Sequence, residues 1–230
     1  MKALLVVPAY NEEANIVSVA RSIEEKGYDY VVVNDGSSDG TRQLCIRHNI
    51  PLLDLSQNLG IGGAVQAGHK YALQHGYDVD IQFDGDGQHD INYVEDLLRE
   101  IDGGADLAIG SRFVQGYESS FQSTFMRRVG IKWLSVAIRL FSGMKITDPT
   151  SGFRACGKRA MELFARDYPI DYPEPESIVD AAKAGLCVRE THVEMHERAG
   201  GSSSIRALSS IYYMIKVSIA IAIAGLSRSR

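Results

Sequence analysis

Short, β-branched apolar runs recur along this chain with amphipathic stretches between them, and that alternation restricts the fold more than any other feature. ALLVV (3–7), YVVVN (30–34), PLLDL (51–55), DIQF (80–83) and DLAIG (106–110) are mostly apolar on both alternating faces, as strands are when a sheet is covered on both sides. Between them, residues 12–26, 61–75 and 91–102 carry a helical period. In the first of these, Ile16, Val19, Ala20 and Ile23 make one stripe, the mark of a helix with a single buried face. Gly27, Gly76 and Gly103 stand where helix stops belong. The order βαβαβαβαβ predicts an α/β fold with a mostly parallel central sheet and helices on both faces. Ligands then gather beyond the carboxyl ends of the strands. A chain of 230 residues, 45% hydrophobic, has enough apolar matter for one large core of this kind.

The polar chemistry is concentrated in the loops at those ends. After the first strand comes Pro8-Ala9-Tyr10-Asn11-Glu12-Glu13, where Asn11 is expected to cap the following helix while Tyr10 and Glu12 face the crevice. After the second comes an acidic turn in which Asp35 is placed to accept from a base or ribose donor, and Asp39 reads as a helix cap. The third loop brings the glycines around Gly62, which permit close backbone approach to a ligand or close helix-on-sheet packing. The fourth strand runs into FDGDGQHD. Asp84 and Asp86 are two apart, so in extended backbone both project from one face. With Gln88 as a neutral oxygen, this set suits Mg²⁺ or Mn²⁺; an Asp/Gly turn closing a strand is the plainer reading of the same residues.

Further along, Arg112 follows the fifth strand, where its guanidinium could grip a phosphate with paired donors. The segment 114–130 reads as a loop entering a helix that carries Arg127 and Arg128. Asp148-Pro149-Thr150-Ser151-Gly152-Phe153-Arg154 reads either as small donors beside a ligand or as an Asp-Pro turn. Glu174 and Glu176 open a helical stretch that should end at Gly185. The net charge of −5 argues against a general nucleic-acid binder. Cys45, Cys156 and Cys187 lack any metal or disulfide spacing and are expected to be buried thiols in a reducing compartment. MKALLVVPAYNEE lacks the features of a signal peptide, so the expected location is the cytosol.

Taken in order, PAYNEE, VVNDGSSDGT, NLGIGGA, FDGDGQH, IGSRF and DPTSGFR resemble the family 2 glycosyltransferases over residues 3–205. The resemblance is to the polyprenyl-phosphate, dolichol-phosphate mannosyltransferase-like branch in particular. It implies the GT-A fold, a nucleoside-diphosphate-sugar donor with UDP or GDP, a divalent ion (Mn²⁺ or Mg²⁺) and inversion at the anomeric carbon. By the same resemblance Pro8, Tyr10, Asn11 and Glu12 hold the nucleotide and Asp35 bonds its base. Asp86 and Gln88 touch the metal, with Asp84 nearer the donor's ribose or sugar and the metal's waters. An acid in the region of Glu174 and Glu176 serves as general base for hydroxyl acceptors, a service that an already ionised phosphate does not need. Arg198, in HERAGGSSS, matches a loop that closes over the diphosphate, and the adjacent His196 reads as a surface histidine.

The function so implied is sugar transfer to a polyprenyl phosphate at the cytoplasmic face of the cell membrane. The alternatives are transfer to a saccharide hydroxyl in cell-envelope polysaccharide synthesis, or a sugar-nucleotide-binding module without transfer activity. Residues 1–205 are expected to form the catalytic domain and 206–230 a separate apolar or amphipathic helix. From Ser202 to Arg230 there are four Lys/Arg and no acids. That stretch reads as a helix lying at a membrane interface or as a core or dimer helix. The implied partners are therefore the nucleotide-sugar, a lipid-phosphate or glycan acceptor, a membrane surface or membrane protein, and a second copy of the chain, with no nucleic acid.

Overall fold

A computed structural model describes residues 1–114, 125–195 and 207–226. Its seven strands are β1 (Ala3–Ala9), β2 (Asp29–Asn34), β3 (Leu52–Asp54), β4 (Val79–Gln82), β5 (Leu107–Ser111), β6 (Arg154–Gly157) and β7 (Val188–His192). They build one sheet in the order β3-β2-β1-β4-β6-β5-β7. Every neighbouring pair is parallel except those of β6, which runs antiparallel to both β4 and β5. The helices are α1 (Ile16–Glu25), α2 (Thr41–Arg47), α3 (Gly60–Gln74), α4 (Val94–Asp102), α5 (Phe125–Ser142), α6 (Lys158–Arg166), α7 (Pro173–Lys183) and α8 (Ala207–Leu226).

The double-sided burial expected of the strands is what makes two cores. Leu4 and Val6 of β1, with Val31 and Val33 of β2, face a layer that includes α3, α5, α6, α7 and α8. Leu5 and Val7, with Tyr30 and Val32, face the layer of α1, α2 and α4. Successive side chains leave opposite faces of a strand, so continuous apolar runs are needed to fill both layers. The α1 stripe of Ile16, Val19, Ala20 and Ile23 is buried as expected.

Three features differ from the sequence reading. The first helix starts at Ile16, because residues 12–15 form a turn in which the Glu12 carbonyl accepts from the Asn15 and Ile16 amides. A short 3-10 turn, Ile91–Tyr93, precedes α4. The strand β6 has no apolar run to announce it, since RACG offers neither β-branching nor alternation. It is held by pairing on both sides, Gln82 opposite Arg154 on one and Ile109 opposite Arg154 on the other. Cys45 and Cys156 are buried thiols, whereas Cys187 is exposed.

Candidate active site

The loops after β1, β2, β3 and β4 meet the start of α7 around a cavity of about 570 Å³. Pro8, Tyr10, Asn11, Glu12, Asp35, Asp84, Asp86 and Glu174 all line it. Five of its lining residues are acids (Glu12, Asp35, Asp84, Asp86 and Glu174), and no Lys or Arg is among the described lining residues. Tyr10 stands 51% exposed there, leaving a ring face open to stacking.

Cross-loop hydrogen bonds hold these acids in place. Asn11, expected from the sequence to cap α1, does not do so. Its amide donates to Ser37 Oγ at 3.0 Å and its Oδ1 accepts from the Ser38 amide at 2.9 Å. The backbone there is left-handed, with φ 57°, a conformation that asparagine tolerates better than most residues. The Glu12 amide donates to Thr41 Oγ1 at 2.8 Å, and Asp39 accepts from the Thr41 amide at 2.9 Å at the head of α2. Asp35 is buried, and its Oδ1 accepts from the Leu59 amide at 2.7 Å at the head of α3. Loop-to-loop bonding of this kind fixes the carboxylates against their mutual repulsion, which supplies a preformed negative site.

The FDGDGQHD segment leaves the sheet at Gln82, so a turn rather than extended strand carries both aspartates to the cavity. Asp86 is nearly buried and its Oδ1 accepts from the Gln88 amide at 3.0 Å. Gln88 itself is not a lining residue. The Asp84 carboxylate accepts from Gln82 Nε2 at 3.1 Å and lies 3.4 Å from His89 Nε2. His89 is a residue that the sequence reading passed over. It accepts the Asp84 amide on Nδ1 at 3.0 Å and stacks on Phe153 with ring centroids 4.6 Å apart. Burial lowers its pKa, against the upward pull of Asp84 and Asp86. A neutral ring accepting on Nδ1 carries its proton on Nε2, where it faces the Asp84 carboxylate. Gly152 closes the other side: a Cβ there would sit 2.8 Å from Gln82 Nε2 and 3.2 Å from Asp84 Oδ2. Two fixed carboxylates on a cavity wall, one with a third of its side chain exposed, are a hard-oxygen set that fits Mg²⁺ or Mn²⁺.

Not every expected residue converges on the cavity. The Arg112 guanidinium gives its paired donors to Asp148, through Nε at 2.7 Å and Nη2 at 2.8 Å, and both partners are buried. Gly62 packs α3 against the chain at Pro169 and Ile170, where an added Cβ would run into the Pro169 carbonyl; Gly60, two residues earlier, is the one that lines the cavity. Glu174 lines it and Glu176 does not, since two residues turn a helix by about 200°. Enclosure pushes the Glu174 carboxyl up, Arg154 opposes this, and Asp84 adds to it. Burial also raises Glu176, helped by Asp180, Asp167 and Asp171. Arg154, likewise unforeseen, is buried and ties residues 149 and 151 to Ser177 on α7 through the Pro149 carbonyl, the Ser151 carbonyl and Ser177 Oγ. His69, Asp80 and Cys156 form a separate buried cluster, with His69 Nδ1 2.6 Å from Asp80, and none of the three lines the cavity. Arg198 and His196 lie outside the described residues, as does the side chain of Arg127.

Residues 4–164 match the family model for glycosyl transferase family 2. Polyprenol monophosphomannose synthase of Mycolicibacterium smegmatis is 32% identical over 228 residues, covering 94% of this chain and 85% of that protein. Undecaprenyl-phosphate mannosyltransferase of Micrococcus luteus is 31% identical over 218 residues, 89% of this chain and 88% of that one. Among solved structures, glucosyl-3-phosphoglycerate synthase of Mycobacterium tuberculosis, in complex with Mn²⁺, UDP-glucose and phosphoglyceric acid, superposes with a TM-score of 0.72 at 20% identity. That match covers 97% of this chain and 79% of the other.

Proposed function

This chain belongs to glycosyl transferase family 2, and from that premise we propose that it moves a hexose from a nucleoside diphosphate to a polyprenyl phosphate, with inversion and with a divalent ion. The observation that carries the reading is a cavity with five acids and, among the described lining residues, no Lys or Arg. A diphosphate brings negative charge of its own, and like charges in such a site repel strongly. A divalent ion between protein and diphosphate offsets that repulsion. Asp84 and Asp86 are the residues that would hold it, and Mn²⁺ or Mg²⁺ bound there stabilises the departing diphosphate. The Tyr10 ring offers a stacking face to the base, and Asp35, whose Oδ1 is bonded to Leu59, has its second oxygen for a base or ribose donor. His89 and Gln82 keep the Asp84 carboxylate aimed. An acceptor phosphate then attacks the anomeric carbon from the face opposite the leaving group, which inverts it.

The names of the two mannosyltransferase relatives make mannose the first sugar to test, and their lipid acceptors make a polyprenyl phosphate the first acceptor. Such an acceptor is held in a bilayer, so the enzyme works at a membrane surface, on the side where nucleotide-sugars are made. A second reading, transfer to a hydroxyl, is supported by Glu174, a cavity carboxylate with a raised pKa and therefore better suited to take a proton. The two separate on one variant. Glu174→Gln removes nearly all transfer to a hydroxyl acceptor, whereas transfer to a lipid phosphate retains most of its kcat. For the donor site, the test is thermal shift with UDP- and GDP-sugars, with and without Mn²⁺. A Mn²⁺-dependent rise in Tm that Asp86→Ala abolishes is expected. A shift that persists in chelator sinks the metal assignment.

A further inference from the structure

Helices α5 and α8 run side by side in the same direction. Trp133 Nε1 donates to Ser218 Oγ at 2.9 Å, a Cβ on Gly130 would meet Met214 Sδ, and one on Gly225 would meet Phe141. Sequence number rises together along both helices at these three contacts. Their buried stripes, Ile131, Leu134 and Ile138 on α5 and Val217, Ile221 and Ala224 on α8, enter the protein core. The opposite stripes are also apolar. Val129, Trp133, Val136 and Leu140 on α5, with Ile219, Ile223 and Leu226 on α8, are each between 47% and 78% exposed. At about 100° per residue each set falls within an arc of some 60°. Parallel packing sets the two stripes alongside each other, and seven large apolar side chains together exceed the scattered exposure of an ordinary monomer surface.

Charge identifies what covers this plate. Neither helix contains an Asp or Glu, in a chain whose net charge is −5. Arg128, Lys132 and Arg139 are exposed on α5 and share one flank of its apolar stripe, again by the helical period. An apolar face bordered by cations, with a tryptophan in it, matches the boundary between lipid tails and anionic headgroups. No helix among the described residues is long and apolar enough to cross a membrane. We infer that the α5–α8 face seats the protein in the surface of an anionic bilayer, with α5 as the principal contact and α8 as its apolar extension. The biological purpose of this seat rests on the lipid-acceptor reading; its physical basis does not.

The test is co-sedimentation of the full chain with vesicles of pure phosphatidylcholine and of phosphatidylcholine with phosphatidylglycerol. Binding is expected to the anionic vesicles and to weaken with salt. Trp133→Ser/Leu140→Ser should lower the partition coefficient by at least roughly tenfold. Lys132→Gln and Arg139→Gln should each lower it by roughly fivefold and leave binding to neutral vesicles unchanged. Mn²⁺-dependent thermal shift by a nucleotide-sugar, read on the same variants, should stay at the wild-type value, which shows that they fold. A wild-type chain that ignores both vesicle types overturns the inference. If light scattering then shows a dimer that Trp133→Ser/Leu140→Ser dissociates, a second copy is the occupant. Vesicle binding indifferent to all these variants overturns it as well. Vesicle binding without any donor shift leaves the seat standing and removes the transferase reading instead.

Discussion

Arg112 offers the sharpest division between a structural and a ligand-binding role. The Arg112 main-chain amide and Nε both donate to Asp148 Oδ2, at 3.2 and 2.7 Å, while Nη2 reaches Asp148 Oδ1 at 2.8 Å and Thr150 Oγ1 at 3.2 Å. The side chains of Arg112 and Asp148 are only 5% and 0% exposed. Truncation to Ala strands a carboxylate in the interior, a change that costs roughly 3–5 kcal/mol. For a chain of this size each kcal/mol lowers Tm by about 2–4 °C, so Arg112→Ala should melt roughly 6–20 °C below the wild type in calorimetry without ligands. Arg112→Lys keeps the charge and loses the fork, and should fall in between. The double variant Arg112→Met/Asp148→Leu removes both charges and should recover most of the loss, because no unpaired ion is left. An Arg112→Ala variant that melts within about a degree of the wild type while sugar transfer collapses would refute this structural role. In that case the guanidinium serves a phosphate, and its bond to Asp148 contributes nothing measurable.

Gly152→Ala places a methyl against Gln82 Nε2 and Asp84 Oδ2, both ends of side chains that can yield. Stability should barely change, while Mn²⁺-dependent donor affinity should fall about tenfold or more as the carboxylate is re-aimed; titration calorimetry showing unchanged affinity would discount the close approach. In Gly62→Ala the methyl meets backbone at Pro169 and Ile170. Overpacking of this kind costs roughly 1–3 kcal/mol and lowers Tm by about 2–12 °C, and an unaltered Tm would argue against the packing role. Glu176 has its carboxyl raised by burial and by Asp180, Asp167 and Asp171, so the folded state holds this proton more tightly than the unfolded chain does. Its contribution to stability is full below the ordinary glutamate range and is lost as pH rises through the raised value. Glu176→Gln should accordingly raise Tm at pH 7 by roughly a few degrees and lose that advantage near pH 4; a gain independent of pH would contradict the electrostatic cause.

What the sequence makes legible follows the range of the forces involved. The parallel strands are visible because double-sided burial leaves uninterrupted apolar runs in β1, β2 and β5, a signal contained within each segment. Strand β6 is not, because its place between β4 and β5 depends on pairing with residues 72 to 78 and 45 to 49 positions away. The same limit separates the site residues. Asp84 and Asp86 announce themselves as neighbours, yet the ring that steadies Asp84 is His89, inside the same motif and looking like a bystander until its stack on Phe153 is seen. Arg112 reads as a free phosphate grip because Asp148 stands thirty-six residues downstream. Glu174 and Glu176 differ only in helix phase, which sequence leaves open until one face is known to meet the cavity. An interfacial α8 is among the sequence's own readings, whereas the part that α5 plays in the plate is hidden for a related reason. A helix apolar on two sides reads simply as buried, and only the packing of Leu134 and Ile138 into the core shows that Trp133, Val136 and Leu140 are the side left over. Function on this fold therefore sits where local pattern and distant packing disagree, since residues whose types exceed what the core requires are the ones free to meet a ligand or a membrane.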